Sequence, residues 1–175
     1  MEQNLQGHYA GFVSRLSAFA IDVLVIATTM SVASWFVVTV GTLFRLDDLF
    51  GAILGRSTLI SVGAILVSLV GTLFVVGYPV FFWVLTGQTP GNILLGLRVV
   101  TTDGRRVSFW RAVRRLIGYV LAALPLFAGF LWVLVDDRRQ GWHDKVAGTY
   151  VVYAWAAHPD ETPILVIDKV PHEGR

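Results

Sequence analysis

Cysteine is absent from this chain, which excludes disulfides, thiolate metal sites and cysteine nucleophiles and leaves no thiol from which to read a redox compartment. Charge is scarce too. Only 15% of the 175 residues are charged while 55% are hydrophobic, so the excess apolar surface must be solvated by lipid. The four histidines, His8, His143, His158 and His172, are scattered, with no His-x-x-x-His or His-Glu-x-x-His spacing. A metal site is not expected, and nothing in the sequence calls for a cofactor. There is no internal repeat and no low-complexity tract.

What remains is organised by long uncharged runs. From Leu16 to Phe44 the one charged residue is Asp22, and the run exceeds the roughly 20 residues a helix needs to cross a hydrocarbon core. This predicts a first spanning helix. A cleavable signal peptide is not expected, because the start lacks a Lys/Arg-rich segment and an acid sits inside the run. After a short charge-neutral connection, Arg45 to Arg56, the stretch Ser57 to Thr86 carries no charge and predicts a second span, kinked or ended at Pro79. Leu97 to Phe109, with Asp103-Gly104 at its centre, reads as a β-hairpin on the cytoplasmic side. Ser108 then suits an N-cap, and an amphipathic interfacial helix follows, with Trp110, Val113 and Ile117 opposing Arg111, Arg114 and Arg115.

That helix runs into a third uncharged stretch, Leu116 to Val135, broken by Pro125 and Gly129. Its length allows a crossing. Its flanks, arginines before and Arg138, Arg139 and Lys145 after, place both ends in the cytoplasm by the positive-inside rule and favour a re-entrant hairpin packed against the other helices. Thr149 to Tyr153 reads as a strand that could join the first strand region only from the same face. The expected fold class is therefore an all-α membrane protein: two spanning helices, a third broken helix that re-enters or spans, a small cytoplasmic β-hairpin and an interfacial amphipathic helix. Residues 1–155 would form this domain and 156–175 a polar tail.

Three stretches carry a family resemblance: Tyr9 to Asp22 (YAGFVSRLSAFAID), Gly87 to Val100 (GQTPGNILLGLRVV) and Asp136 to Thr149 (DDRRQGWHDKVAGT). In this order and spacing the chain resembles the RDD family of small multi-helix membrane proteins, named for an arginine and two aspartates. The resemblance places Arg15 and Asp22 on the family's arginine and first aspartate, and Asp144 best on the second. Where the family commonly has a lysine after Pro-Gly, Asn92 stands here. Monovalent cation/proton exchange is attributed to some members of the family.

Several residues invite chemistry. Asp22 lies inside the apolar run, where an ionised carboxylate costs roughly 2.5–3.5 kcal/mol, so it is either protonated or met by donors from elsewhere. Arg15, seven residues earlier on the same face, leans toward the headgroups and away from it. The reading as a proton- or cation-carrying carboxylate stands beside the reading as a buried packing contact. His143-Asp144 could be a base and its orienting acid, or an anchor that caps a helix or pairs with an arginine such as Arg15 or Arg98. Thr89, Pro90 and Gly91 are expected to turn the chain out of the membrane, with glycine supplying positive φ. Arg105, Arg106, Arg111, Arg114 and Arg115 are expected to face lipid, and Trp35, Trp83, Trp110, Trp132 and Trp142 to sit at interfaces. Arg15, Asp22 and Asp144 should converge on one polar cluster at the cytoplasmic end of the first helix.

Two functions follow. One is a monovalent cation or proton transporter or exchanger of a bacterial inner membrane, built on Asp22 with Arg15, His143 and Asp144 tuning it, and needing an oligomer. The other is a non-catalytic module that organises partner proteins or anionic lipids. An enzyme is not expected, nor nucleic acid as a partner. The N-terminus is expected in the cytoplasm.

Overall fold

The computed structural model describes residues 9–103 and 105–154, so the polar tail assigned to 156–175 lies outside the described residues. The elements in order are α1 (Phe12–Leu43), α2 (Leu46–Leu54), α3 (Arg56–Leu85), α4 (Pro90–Leu94), β1 (Leu97–Thr101), α5 (Phe109–Ala123), α6 (Ala128–Leu131), α7 (Trp142–Ala147) and β2 (Thr149–Tyr153). The chain divides into two units, one of residues 23–78 and one of the rest.

Helices α1 and α3 are long and apolar enough to cross a membrane. At 1.5 Å per residue the 32 residues of α1 reach about 48 Å, beyond a hydrocarbon core of about 30 Å. Pro79 lies within α3 and does not end it. In the unit of residues 23–78 the side chains are overwhelmingly apolar and exposed, as in a helix whose solvent is lipid. The connection between the two long helices holds a further helix, α2, which starts after Arg45 in a left-handed conformation.

The other unit carries the core. Strands β1 and β2 pair antiparallel, Leu97 opposite Tyr153 and Thr101 opposite Thr149, and Tyr9 bridges Val152 on the far side of β2. A hairpin was expected through Asp103-Gly104, with Thr149–Tyr153 joining it from the same face; β1 pairs with that later strand, and the Arg105 carbonyl accepts from Thr101 N at 3.1 Å. The reason lies in the burial: every β1 residue but Arg98 is buried, and β2 supplies Tyr150, Val151 and Val152 as an apolar partner surface.

Between the strands, α5 and α6 form a pair bent by 112°. Pro125 cannot continue the α5 hydrogen-bond ladder, and Leu126 and Phe127 then adopt φ of 50° and 64°, left-handed positions costing on the order of 1–2 kcal/mol per non-glycine residue. The return is held close: a Cβ on Gly129 would sit 2.5 Å from Ala122 Cα. In sequence, β1 precedes this bent pair and β2 follows it.

Burial on α5 departs from the amphipathic expectation at Arg115. Ala112, Arg115, Gly118 and Ala122 face inward, while Trp110, Arg114 and Ile117 face outward. The buried stripe recurs at steps of three and four, and its small residues let α7 approach so closely that a Cβ on Gly118 would lie 2.6 Å from His143 Cα.

Candidate functional site

Asp144 is the centre of the polar interior. At 0% exposure, it is the third residue of the short helix α7, where its Oδ2 accepts from Gly141 N at 3.1 Å and so caps its own helix. The same oxygen takes Arg15 Nη1 at 2.5 Å, and Oδ1 pairs with Arg115 Nη1. Two guanidiniums thus share one carboxylate. Burial by itself would raise this acid, but Arg115 and Arg15 outweigh it and hold Asp144 well below the usual carboxylate range.

Each arginine is positioned by further bonds. Arg15 Nε donates to Ala10 O at 3.1 Å, tying the first turn of α1 to the segment that hydrogen-bonds β2 through Ala10 N and Val151 O. Arg115 donates to Thr149 Oγ1 at 2.7 Å and lies over the Trp83 ring, 5.0 Å from its centroid. Trp83 and Tyr119 stack, and His143 stacks on Tyr119 with centroids 4.3 Å apart. His143 Nε2 is 3.5 Å from Asp144 Oδ2, and its Nδ1 finds no partner among the described residues. Burial, with Arg115 and Arg15 adding to it, pushes His143 down from 6.5 to about 4 against the pull of Asp144, so it is neutral at pH 7.

Asp22 sits in a different arrangement. Its Oδ2 accepts from Thr89 Oγ1 at 2.5 Å and its Oδ1 from Gly91 N at 2.8 Å. Those donors belong to the start of α4, where Thr89 is the N-cap, its hydroxyl also accepting from Asn92 N at 3.3 Å, and Pro90 occupies the first helical turn. Gly91 is needed for approach and not for positive φ: a methyl there would overlap Ala18 O and lie 2.9 Å from Asp22 Cγ. The left-handed glycines of this region are Gly87 and Gly96, at φ 73° and 62°. Thr89-Pro90-Gly91 is therefore a helix start clasped to α1.

The expectation of a single cluster is half met. Arg15 and Asp144 meet, whereas Asp22 is engaged by the α4 turn. Of the arginines expected at lipid, Arg115 is 2% exposed and belongs to the interior, because it lies on the stripe of small residues and finds Asp144 there. Arg105, Arg106 and Arg114 are exposed, and Arg111 is half-buried, pairing with Asp103 at 3.1 Å. Trp83 is likewise interior, under Arg115. No group of three or more metal-ligating side chains gathers among the described residues.

The three stretches that build this interior are the ones that carry the resemblance: the start of α1, the Gly87–Val100 region and the segment through α7. The chain matches the RDD family over residues 9–148. It belongs to the RDD family. Among its relatives are Uncharacterized protein YckC of Bacillus subtilis (strain 168), 28% identical over 150 residues covering 83% of this chain and 85% of that one, and Uncharacterized protein YxaI of the same strain, 35% identical over 65 residues, 37% of this chain and 42% of YxaI. Uncharacterized protein RP437 of Rickettsia prowazekii (strain Madrid E) is 25% identical over 89 residues, half of this chain and 49% of its own length. No solved structure matches. Arg15 and Asp144 form one buried ion pair with Arg115 as third member, and Asp22 clasps α4. Arg115 is the member that sequence reasoning missed; its signal was the spacing Ala112, Arg115, Gly118, Ala122.

Proposed function

We propose that this RDD protein is a non-transporting, non-enzymatic module of a bacterial inner membrane, which holds a rigid platform of sheet, α4 and α7 at the cytoplasmic face to organise partner membrane proteins, including further copies of itself. The observation that carries the reading is the state of Asp22: both of its oxygens are engaged by donors of its own chain, the Thr89 hydroxyl and the Gly91 amide, in a fit that glycine alone allows. A carrier carboxylate must exchange its partner for an ion during each cycle. Here release of Asp22 would leave the Gly91 amide and the Thr89 hydroxyl without their acceptor and loosen the start of α4 from α1, which suits a fastener better than a shuttle. Asp144, shared by two arginines, favours the same reading. On this proposal the N-terminus is cytoplasmic and the bent α5–α6 pair re-enters, in keeping with the 112° bend between its legs.

Purified protein in liposomes tests it. Under an imposed sodium, potassium or proton gradient the wild type is expected to carry no flux above empty vesicles, while Asp22→Asn is expected to lower thermal stability. Gradient-driven flux that Asp22→Asn abolishes in a folded protein would establish the exchanger reading instead.

A further inference from the structure

The bent pair presents apolar side chains where no described residue covers them. Leu124 is 74% exposed and Leu126, at the bend, 91%; Ile117, Val120, Phe127 and Leu134 continue the surface down both legs. At the base of the first leg stand Arg106, Trp110 and Arg114, all exposed. The base of the second leg holds Trp132 with the Lys145 ammonium 5.6 Å from its ring centroid, and Trp142 beside it at 6.3 Å. So the first leg grades from cationic and aromatic at its base to wholly apolar at the bend, the order in which a bilayer presents headgroup, interface and acyl chain. The length agrees. From Trp110 to Leu124 is about 21 Å along a helix, close to half a hydrocarbon core, about 15 Å, plus one interfacial layer of about 6 Å. A crossing would need twice that.

We infer that residues 109–134 form a wedge in a single leaflet, the one on the sheet's side, with the bend among acyl chains near the midplane and Arg106 and Arg114 at its base meeting the phosphates of anionic phospholipid headgroups. The occupant is lipid because the apolar face of the first leg is bounded at its base by exposed arginines beside an exposed tryptophan, a complement to anionic headgroups, while Lys145 at the base of the second leg is held by Asp136 at 2.5 Å. The wedge adds cross-section to one leaflet only, so the protein is expected to favour membranes that bulge toward that side. The inference rests on the sheet lying at one membrane face and is independent of whether the protein transports ions; a flux measurement decides the one and leaves the other standing.

Because the chain has no cysteine, single thiols report position directly. In vesicles of phosphatidylethanolamine and phosphatidylglycerol, an environment-sensitive fluorophore on Leu126→Cys is expected to be quenched most by lipids labelled deep in the acyl chain, with the thiol closed to aqueous reagents from both sides. Arg106→Cys and Arg138→Cys should both react from the same side. A Leu126→Cys thiol that reacts from the opposite side would mean a crossing, and a fluorophore shielded from both water and lipid quenchers would mean a protein covers the bend; either overturns the wedge. The double variant Arg106→Gln with Arg114→Gln should retain several-fold less phosphatidylglycerol on purification, and inorganic phosphate should fail to displace it from the wild type. Equal retention by the variant removes the headgroup contact, and displacement by phosphate makes the ligand a free anion.

Discussion

Two aspartates, both fixed in the half of the molecule that holds the sheet, are compensated in opposite ways. Asp144 is fully buried and answered by charge, with a guanidinium on each side; Asp22 is half-buried and answered by dipoles, a hydroxyl and a backbone amide at a helix start. Charge compensation stakes more on each partner, since removing one side strands a buried ion, while a carboxylate held by neutral donors loses only its bonds. The contrast assigns different work to the two. Asp144 ties together α1, α5 and α7, and Asp22 fixes the start of α4 on α1.

Asp144→Asn should therefore cost most, about 3–5 kcal/mol, because Arg15 and Arg115 are left facing each other without a counter-ion. Thermal unfolding in detergent reads this directly. Pairing it with Arg15→Gln should recover part of the loss, with coupling of about 1 kcal/mol or more in a double-mutant cycle; strict additivity would contradict the pair. Acid probes the same site through His143. Its folded value of about 4 lies below its ordinary 6.5, so the stability it contributes is complete above about pH 6.5 and is lost as the pH falls toward 4, by up to about 3 kcal/mol. His143→Phe keeps the stack on Tyr119 and should flatten that dependence. On the Asp22 side, Gly91→Ala should cost about 1–3 kcal/mol by pushing α4 off Ala18, while Gly63→Ala, with nothing within 4 Å, should be close to neutral. Asp22→Asn should cost about 1–2 kcal/mol, less than its counterpart at Asp144. Smallest of all is Asp103→Asn, which breaks a pair whose acid is 60% exposed and should shift stability by under about 1 kcal/mol.

The two spans and the broken third segment were legible because uncharged length and a mid-run proline are direct statements about a bilayer. The Arg15–Asp144 partnership was legible as well, through motif order and the need of each charge for a partner. What was not legible was the inner face of α5: read as interfacial, with its arginines toward lipid, it instead turns its small residues inward and carries Arg115 with them. Asp103-Gly104 was read as closing a hairpin, whereas β1 takes as its partner the strand Thr149–Tyr153, which had been expected to join from the same face. Gly91 was assigned to backbone freedom when its role is to let α4 touch Ala18, which no single-chain pattern displays.

The pairing of Arg15 with Asp144 spans 129 positions, and Tyr9 likewise reaches Val152. A ribosome adds about 5–20 residues per second, so on the order of ten seconds separates the emergence of the arginine from that of the acid. Throughout that interval the start of α1 holds an unneutralised cation, joined late in it by the open edge of β1 and then by Arg115 on the inner face of α5. Such a chain cannot finish from the front. Sheet and ion pair close only when the last strand arrives, so chains that stop short of Thr149 should be the ones that quality-control proteases remove.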